Sequence, residues 1–144
     1  MCKQPNKPFL RIGAALALLL LLTGLFLLRS RQSAALPKEE ILLADAQSRE
    51  AWLNLCGWRV GAPEVSETCV PSEWKTPAGQ CWLRLQHQQG FSPEQYAGSH
   101  AVRYVYPAEN AAAENCRAEL LLCGDVLIGA QVYDAETQLM RPVR

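Results

Sequence analysis

The chain has 144 residues, enough for one domain and an appendage, and its formal net charge is zero. The charge is uneven: residues 1–38 contain 6 basic residues and no acidic one, whereas residues 39–144 contain 14 acidic and 8 basic residues. Because nucleic-acid binding needs a basic face, the acidic charge of residues 39–144 argues against a nucleic-acid partner. The same acidic charge is also explained by ordinary solubility.

Residues 12–28 predict a transmembrane helix. These 17 residues carry no charge and are mostly Leu and Ala, and a helix needs roughly 17–25 such residues to cross the hydrocarbon of a bilayer. A buried helix of a globular core would show a polar stripe, whereas only Thr23 interrupts this segment. We therefore expect residues 1–11 to form a cytoplasmic N-terminus, residues 12–28 to span the lipid bilayer and residues 29–38 to form a short stalk.

A cleaved signal peptide is the alternative to an anchor, with a passable cleavage site at residues 33–35. The apolar run is longer than the roughly 7–15 residues of a signal peptide, and Arg29 and Arg31 separate it from that site. Both alternatives export residues 39–144. The short N-terminus favours a cytoplasmic N-terminus, although the two arginines after the span weaken the positive-inside bias. The prediction is a single-pass protein of the cell membrane with an extracytoplasmic domain.

Two helices are predicted in that domain. The first should begin near Pro37, because proline is favoured in a first helical turn, and should end before Gly57. Leu55 lies on the side of this helix that should face the core. The second should begin at Pro77, capped by the preceding threonine, and should end before Gly90.

The strands are predicted where residues are continuously apolar or where apolar and polar residues alternate. The Gly-Asp pair at 124–125 is a two-residue turn signal, so the segments on either side of it should form a hairpin. The predicted extended segments are 58–60, 64–70, 101–106, 116–123 and 126–133. The expected domain is α+β: an antiparallel sheet of about three to five strands with both helices packed on one face.

Several landmarks recur in a fixed order along residues 50–135. They are Gly57-Trp58-Arg59-Val60, Val70-Pro71, Leu85-Gln86 running into Gly90-Phe91, Tyr96-Ala97-Gly98, Val102-Arg103-Tyr104 and Gly124 through Gly129. This order resembles an uncharacterised bacterial family of small membrane-anchored proteins, a domain of unknown function. The resemblance implies an N-terminal anchor and an extracytoplasmic α+β domain, and it implies no activity. The chain departs from the family at Gln131 and Ser92, where an Asp is common.

The six cysteines are the unusual feature of the composition. Cys2 lies across the predicted membrane from the other five. No pair has the Cys-x-x-Cys spacing of a redox or zinc site, so no metal site is expected. Two alternatives stay open for the domain: its cysteines are small buried apolar residues, or they form a Cys56–Cys81 or a Cys69–Cys116 disulfide.

Trp74 and Arg103 are the candidate binding residues. Trp74 adjoins Lys75 outside regular structure, so we expect it to be exposed, and Arg103 lies on a strand whose solvated face is the alternative explanation. His87 and His100 have no carboxylate or thiol at the spacing of a metal site or a catalytic triad. No catalytic residue and no cofactor is therefore predicted.

The sequence predicts a membrane-tethered extracytoplasmic binding or accessory domain of unknown ligand. Its expected contacts are the lipid bilayer, through residues 12–28, and an envelope or membrane protein, through Trp74, Arg103 and the edge of the predicted hairpin. The alternatives are a thiol-dependent enzyme and an envelope sensor that acts through the membrane helix. The span contains no Gly-x-x-x-Gly, so dimerisation through it is not indicated.

Overall fold

The computed structural model describes residues 39–144, so the predicted span 12–28 and stalk 29–38 lie outside the described residues. Residues Glu40–Arg144 form one compact unit. Among residues 39–144, no helix combines the length and the apolar character that a membrane crossing requires. The elements in chain order are α1 (Ala46–Leu55), β1 (Glu64–Cys69), α2 (Pro77–Gln88), a 3₁₀ turn (Pro93–Tyr96), β2 (His100–Pro107), β3 (Cys116–Cys123), β4 (Val126–Asp134) and β5 (Met140–Arg141).

The five strands form one antiparallel sheet in which each strand pairs with the next one in sequence. The predicted β3–β4 hairpin is confirmed, and Gly124 in its turn has a φ of 58°, which glycine adopts without strain. A β-bulge opposite Leu121 and Leu122 shifts the register of this hairpin by one residue. The predicted α+β class is confirmed.

The two helices pack on opposite faces of the sheet. Leu53 of α1 belongs to a core cluster with Tyr106 and Leu120, whereas Trp82 of α2 packs with Leu121 and Ile128 on the other side. The prediction that both helices lie on one face is therefore wrong. The physical reason is that β3 carries apolar side chains on both faces near its end, so a helix must pack on each face to bury them. We call the two surfaces the α1 face and the α2 face.

Helix α1 begins later than the sequence predicts. The Asp45 side chain accepts a hydrogen bond from Ser48 N (2.7 Å) and Ser48 Oγ accepts one from Asp45 N (3.1 Å), a capping box that fixes the start at Ala46. The preceding residues are extended, because Leu127 N donates to Ile41 O at 2.9 Å. The predicted helix is therefore confirmed over Ala46–Leu55 and wrong over residues 39–45, since pairing with β4 competes with helix formation there.

Helix α2 follows the prediction. Thr76 is its N-cap and accepts a hydrogen bond from Gly79 N at 3.1 Å, and Pro77 occupies the first turn. Gly90 follows the helix with a φ of 88°. Strand β1 also confirms the extended segment predicted at 64–70, whereas the segment 58–60 contributes only an isolated bridge between Val60 and Ala108.

The buried side of α1 supplies the first test. Leu53 is completely buried, whereas Leu55, which the sequence placed toward the core, is 87% exposed. We expect Leu53→Ala to lower the free energy of unfolding by about 2–5 kcal/mol, because it removes transfer energy and leaves a cavity. Leu55→Ala is the matched control and should change it by less than about 0.5 kcal/mol. Urea unfolding followed by circular dichroism measures both, and equal losses would contradict the packing of α1.

Candidate functional site

The outer edge of β1 has no hydrogen-bond partner within residues 39–144. Val70 N donates to Ser99 O and Gly98 N donates to Val70 O, both at 2.9 Å, so Val70 bonds toward the β2 side. Alternate residues of an antiparallel strand bond to the same neighbour. The backbone groups of Val65, Glu67 and Cys69 therefore point outward, and no described residue bonds to them.

The opposite edge of the sheet, along β4, is covered over most of its length. Residues 41–43 bond to the start of β4, β5 pairs with residues 132 and 133, and α2 covers the stretch between them. There Ala130 N donates to Gln86 Oε1 at 2.9 Å, and Gln89 Nε2 donates to Ala130 O at 2.7 Å. The hairpin edge that the sequence assigned to a partner is thus occupied by the chain itself.

Arg103 lies beside the free edge. It is an exposed residue of β2 on the α2 face, and its Nε donates to Ser66 Oγ of β1 at 3.2 Å. None of the ion pairs among the described residues includes it. Its guanidinium group therefore reaches over β1 and keeps hydrogen-bonding capacity for another molecule.

A group of polar side chains lies on the α2 face beyond Gly129, where Trp82 packs on the sheet. Glu119 of β3 pairs with Gln131 of β4, and Arg117 pairs with Tyr133 one step along. Arg103 lies diagonally across from Glu119 on β2. We call Arg103, Arg117, Glu119, Gln131 and Tyr133 the polar cluster.

The groups of the polar cluster influence one another electrostatically. Burial raises the pKa of the Glu119 carboxyl, while Arg103 and a hydrogen bond with Gln131 act in the lowering direction. Burial also raises the pKa of Tyr133, and Glu119 adds to that rise, whereas Arg103 and Arg117 oppose it. The Tyr133 hydroxyl is thus within electrostatic reach of charges from three strands.

Gln131 is the most deeply buried member of the polar cluster. It is 7% exposed, and its Oε1 has no hydrogen-bond partner within the described part of the chain. A buried carbonyl oxygen without a partner costs free energy of the order of 1–3 kcal/mol.

Trp74 lies less exposed than the sequence predicts. Its ring stacks on Trp82 with centroids 4.9 Å apart and planes inclined by 8°, and it packs against the cluster that contains Val70 and Leu121. The expectation of a freely exposed contact at Trp74 is wrong, because the ring covers the apolar end of the α2 face. Trp74 and Arg103 do share this face, since Leu121 pairs with Arg103.

The structure holds the five described cysteines as free thiols. Cys56 packs with the core of the α1 face, whereas Cys81 is exposed on α2. Cys69 pairs with His100 at the start of β2, and Cys116 pairs with Asp134 at the opposite end of the sheet. Neither of the two disulfides considered from sequence is brought together. Burial raises the pKa of the Cys56 thiol, so it stays protonated at neutral pH.

Each histidine contacts a glutamate that the sequence did not pair with it. His87 Nε2 lies 2.7 Å from Glu94 Oε1, and His100 Nε2 lies 3.5 Å from Glu67 Oε2. All four side chains are substantially exposed, so these surface contacts have small energetic value. Within residues 39–144, His, Cys, Asp and Glu side chains nowhere gather in threes as a metal site would need.

Sequence reasoning missed four of the five residues of the polar cluster. Arg117 and Glu119 alternate with Ala118 and Leu120 on β3, a pattern that marks one polar face of a strand. Gln131 was noted only as a departure from the family pattern. The alternation signals a solvated face, but it does not indicate which strands meet there.

No protein-family model, no curated protein and no solved structure matches this chain. The resemblance to the membrane-anchored family therefore stays a prediction.

The buried carboxyl of Glu119 supplies the second test. Its folded-state pKa lies above the ordinary value of 4.5, so the native state holds the proton more tightly than the unfolded state. Stability should fall as the pH rises from the ordinary value through the folded-state pKa. We expect Glu119→Gln to raise Tm by a few degrees at pH 8 and by much less at pH 4.

Glu67→Gln is the matched control. The Glu67 side chain is 83% exposed, so this substitution should change Tm very little at either pH. Thermal unfolding at pH 4 and pH 8 measures the difference. A Glu119→Gln gain of the same size at both pH values would show that the carboxyl is not the titrating group.

Proposed function

We propose that this protein is a membrane-tethered extracytoplasmic accessory domain that binds an extended segment of a partner protein along β1. The observation that carries the proposal is the free edge of β1, with Arg103 beside it. An exposed edge strand offers main-chain donors and acceptors in the register of a further strand, and peptide-binding domains use such edges. The outward backbone groups of Val65, Glu67 and Cys69 are the ones that a partner would bond.

The side chains around this edge favour a partner segment that is basic and partly apolar. Glu64 and Glu67 are exposed on β1, and Val65 is 57% exposed. Lysine or arginine side chains of an added strand would face these carboxylates, and an apolar residue would cover Val65. Arg103 would donate to a backbone carbonyl or an acidic side chain of the partner.

A crosslinking experiment tests the free edge. A photoreactive amino acid at Val65 of the full-length protein should give a discrete adduct in its own cells, and the same residue at the exposed Asn54 of α1 should not. Glu67→Pro should abolish the adduct, because proline removes an outward N–H and is tolerated where that N–H faces solvent. Glu67→Ala is the control, since it keeps the N–H, and an adduct that survives Glu67→Pro would refute pairing at this edge.

A thiol-labelling experiment tests the topology. Cys69 and Cys81 are exposed, so a membrane-impermeant maleimide should label both in intact cells that carry the full-length protein. A variant with Cys69→Ser and Cys81→Ser should lose the fastest labelling, because Cys116 is buried and Cys56 and Cys123 are partly buried. Cys2 should react only after permeabilisation. Labelling of Cys2 alone in intact cells would place the domain in the cytoplasm.

A further inference from the structure

The end of α1 carries an exposed apolar side chain beside a partly buried aromatic one. Leu55 is 87% exposed, and Trp52, three residues earlier, packs partly against the core of the α1 face. Residues three apart are neighbours on a helix surface, so the two side chains lie side by side. The adjoining exposed residues Ala51 and Asn54 are uncharged. This end of the helix therefore lacks the charged side chains that usually occupy an exposed helix face.

The C-terminal segment brings two arginines to the same end of the molecule. The Arg144 Cζ lies 5.8 Å from the centroid of the Trp52 ring, and the Arg141 Cζ lies 5.1 Å from that of Trp58. Between the two arginines, Val143 is buried and its carbonyl accepts a hydrogen bond from Trp58 Nε1 at 2.7 Å, which holds the segment in place. We call Trp52, Leu55, Trp58, Arg141 and Arg144 the cationic aromatic patch.

Neither arginine of the patch has an anionic partner among residues 39–144. None of the ion pairs within 4.0 Å there includes Arg141 or Arg144, whereas Arg59 pairs with Glu109 at 3.6 Å. A guanidinium group placed over an indole ring keeps N–H donors for a second group. In a domain with 14 acidic and 8 basic residues, two cations that leave every acid unpaired favour an external anion.

We propose that the cationic aromatic patch docks the domain on a bilayer surface that contains anionic phospholipids. Arg141 and Arg144 bind lipid phosphates, because a guanidinium group matches phosphate geometry. The two tryptophan rings lie at the level of the headgroups, and Leu55 enters the apolar layer beneath them. An acidic protein segment would match the arginines alone, whereas an anionic bilayer matches both the arginines and the protruding leucine.

Docking through the patch is separate from strand addition at β1. Arg141 belongs to β5, which lies at the opposite end of the strand order from β1. A docked domain therefore keeps the edge of β1 away from the contact with lipid. The inference rests on the proposed function only in that the proposed span at residues 12–28 keeps the domain near a bilayer.

Fluorescence quenching in vesicles that contain the full-length protein tests the proposal. A fluorescent amino acid replaces Leu55, and the quencher is a phospholipid with a nitroxide on its acyl chain. Quenching should be strong in vesicles of equal parts phosphatidylglycerol and phosphatidylcholine and weak in pure phosphatidylcholine, because only the former offers anionic headgroups. The same probe at Val65 of β1, which is 57% exposed, is the positional control and should be quenched weakly in both.

Substitution of the arginines separates their role from that of the apolar probe. Arg141→Gln and Arg144→Gln should each lower the ratio of docked to undocked domain by about fivefold, since each removes one cation at the anionic surface. High salt should weaken the quenching in the same direction, because it screens these charges. Arg84→Gln is the matched control, since Arg84 is an exposed arginine of α2 and should leave the quenching unchanged.

The outcomes separate lipid docking from the proposed function. Equal quenching at position 55 in the two kinds of vesicle, or quenching that survives both arginine substitutions together, would overturn the proposal and leave the crosslinking result at β1 unaffected. A discrete protein adduct from a photoreactive residue at position 55 in cells, without quenching in anionic vesicles, would assign the patch to an acidic protein and also overturn it. Flotation of the full-length protein with phosphatidylcholine vesicles tests the tether by itself, so a missing tether is not mistaken for missing docking.

Discussion

Two glutamine side chains at the end of α2 complete the hydrogen bonding of the β4 edge, and much of the architecture depends on them. Gln86 and Gln89 bond to the N–H and the C=O of Ala130, which point away from β3. Gln89 Oε1 also accepts from Val143 N at 2.8 Å. Because a buried backbone group without a partner is costly, these bonds fix α2 against β4 and hold the C-terminal segment beside it.

This attachment decides which surfaces stay open. With α2 fixed at Ala130, its Trp82 packs on Gly129 and stacks with Trp74, so one half of the α2 face is apolar and covered. The other half keeps Glu119 and Gln131 at its boundary. At the far side of the sheet, β1 receives no such cover from residues 39–144. The edge of β1 is thus a region that the packing of α2 leaves available.

Arg103 lies between the free edge of β1 and the polar cluster. It reaches Ser66 on β1 through its Nε and also influences Glu119 within the polar cluster. A partner strand on β1 that bonded to Arg103 would therefore change the electrostatic surroundings of Glu119.

The sequence by itself determined the local structure wherever a local signal decides it. Gly124 and Asp125 fixed the hairpin, Thr76 and Pro77 fixed the start of α2, and alternating residues marked the strands. Tertiary structure alone decided the start of α1, where strand pairing of residues 41–43 overrode helix propensity, and the side of the sheet that each helix covers. It also decided the polar cluster, because register between strands distant in sequence brings Arg103, Glu119 and Gln131 together. Periodicity along one segment carries no information about which segments become neighbours.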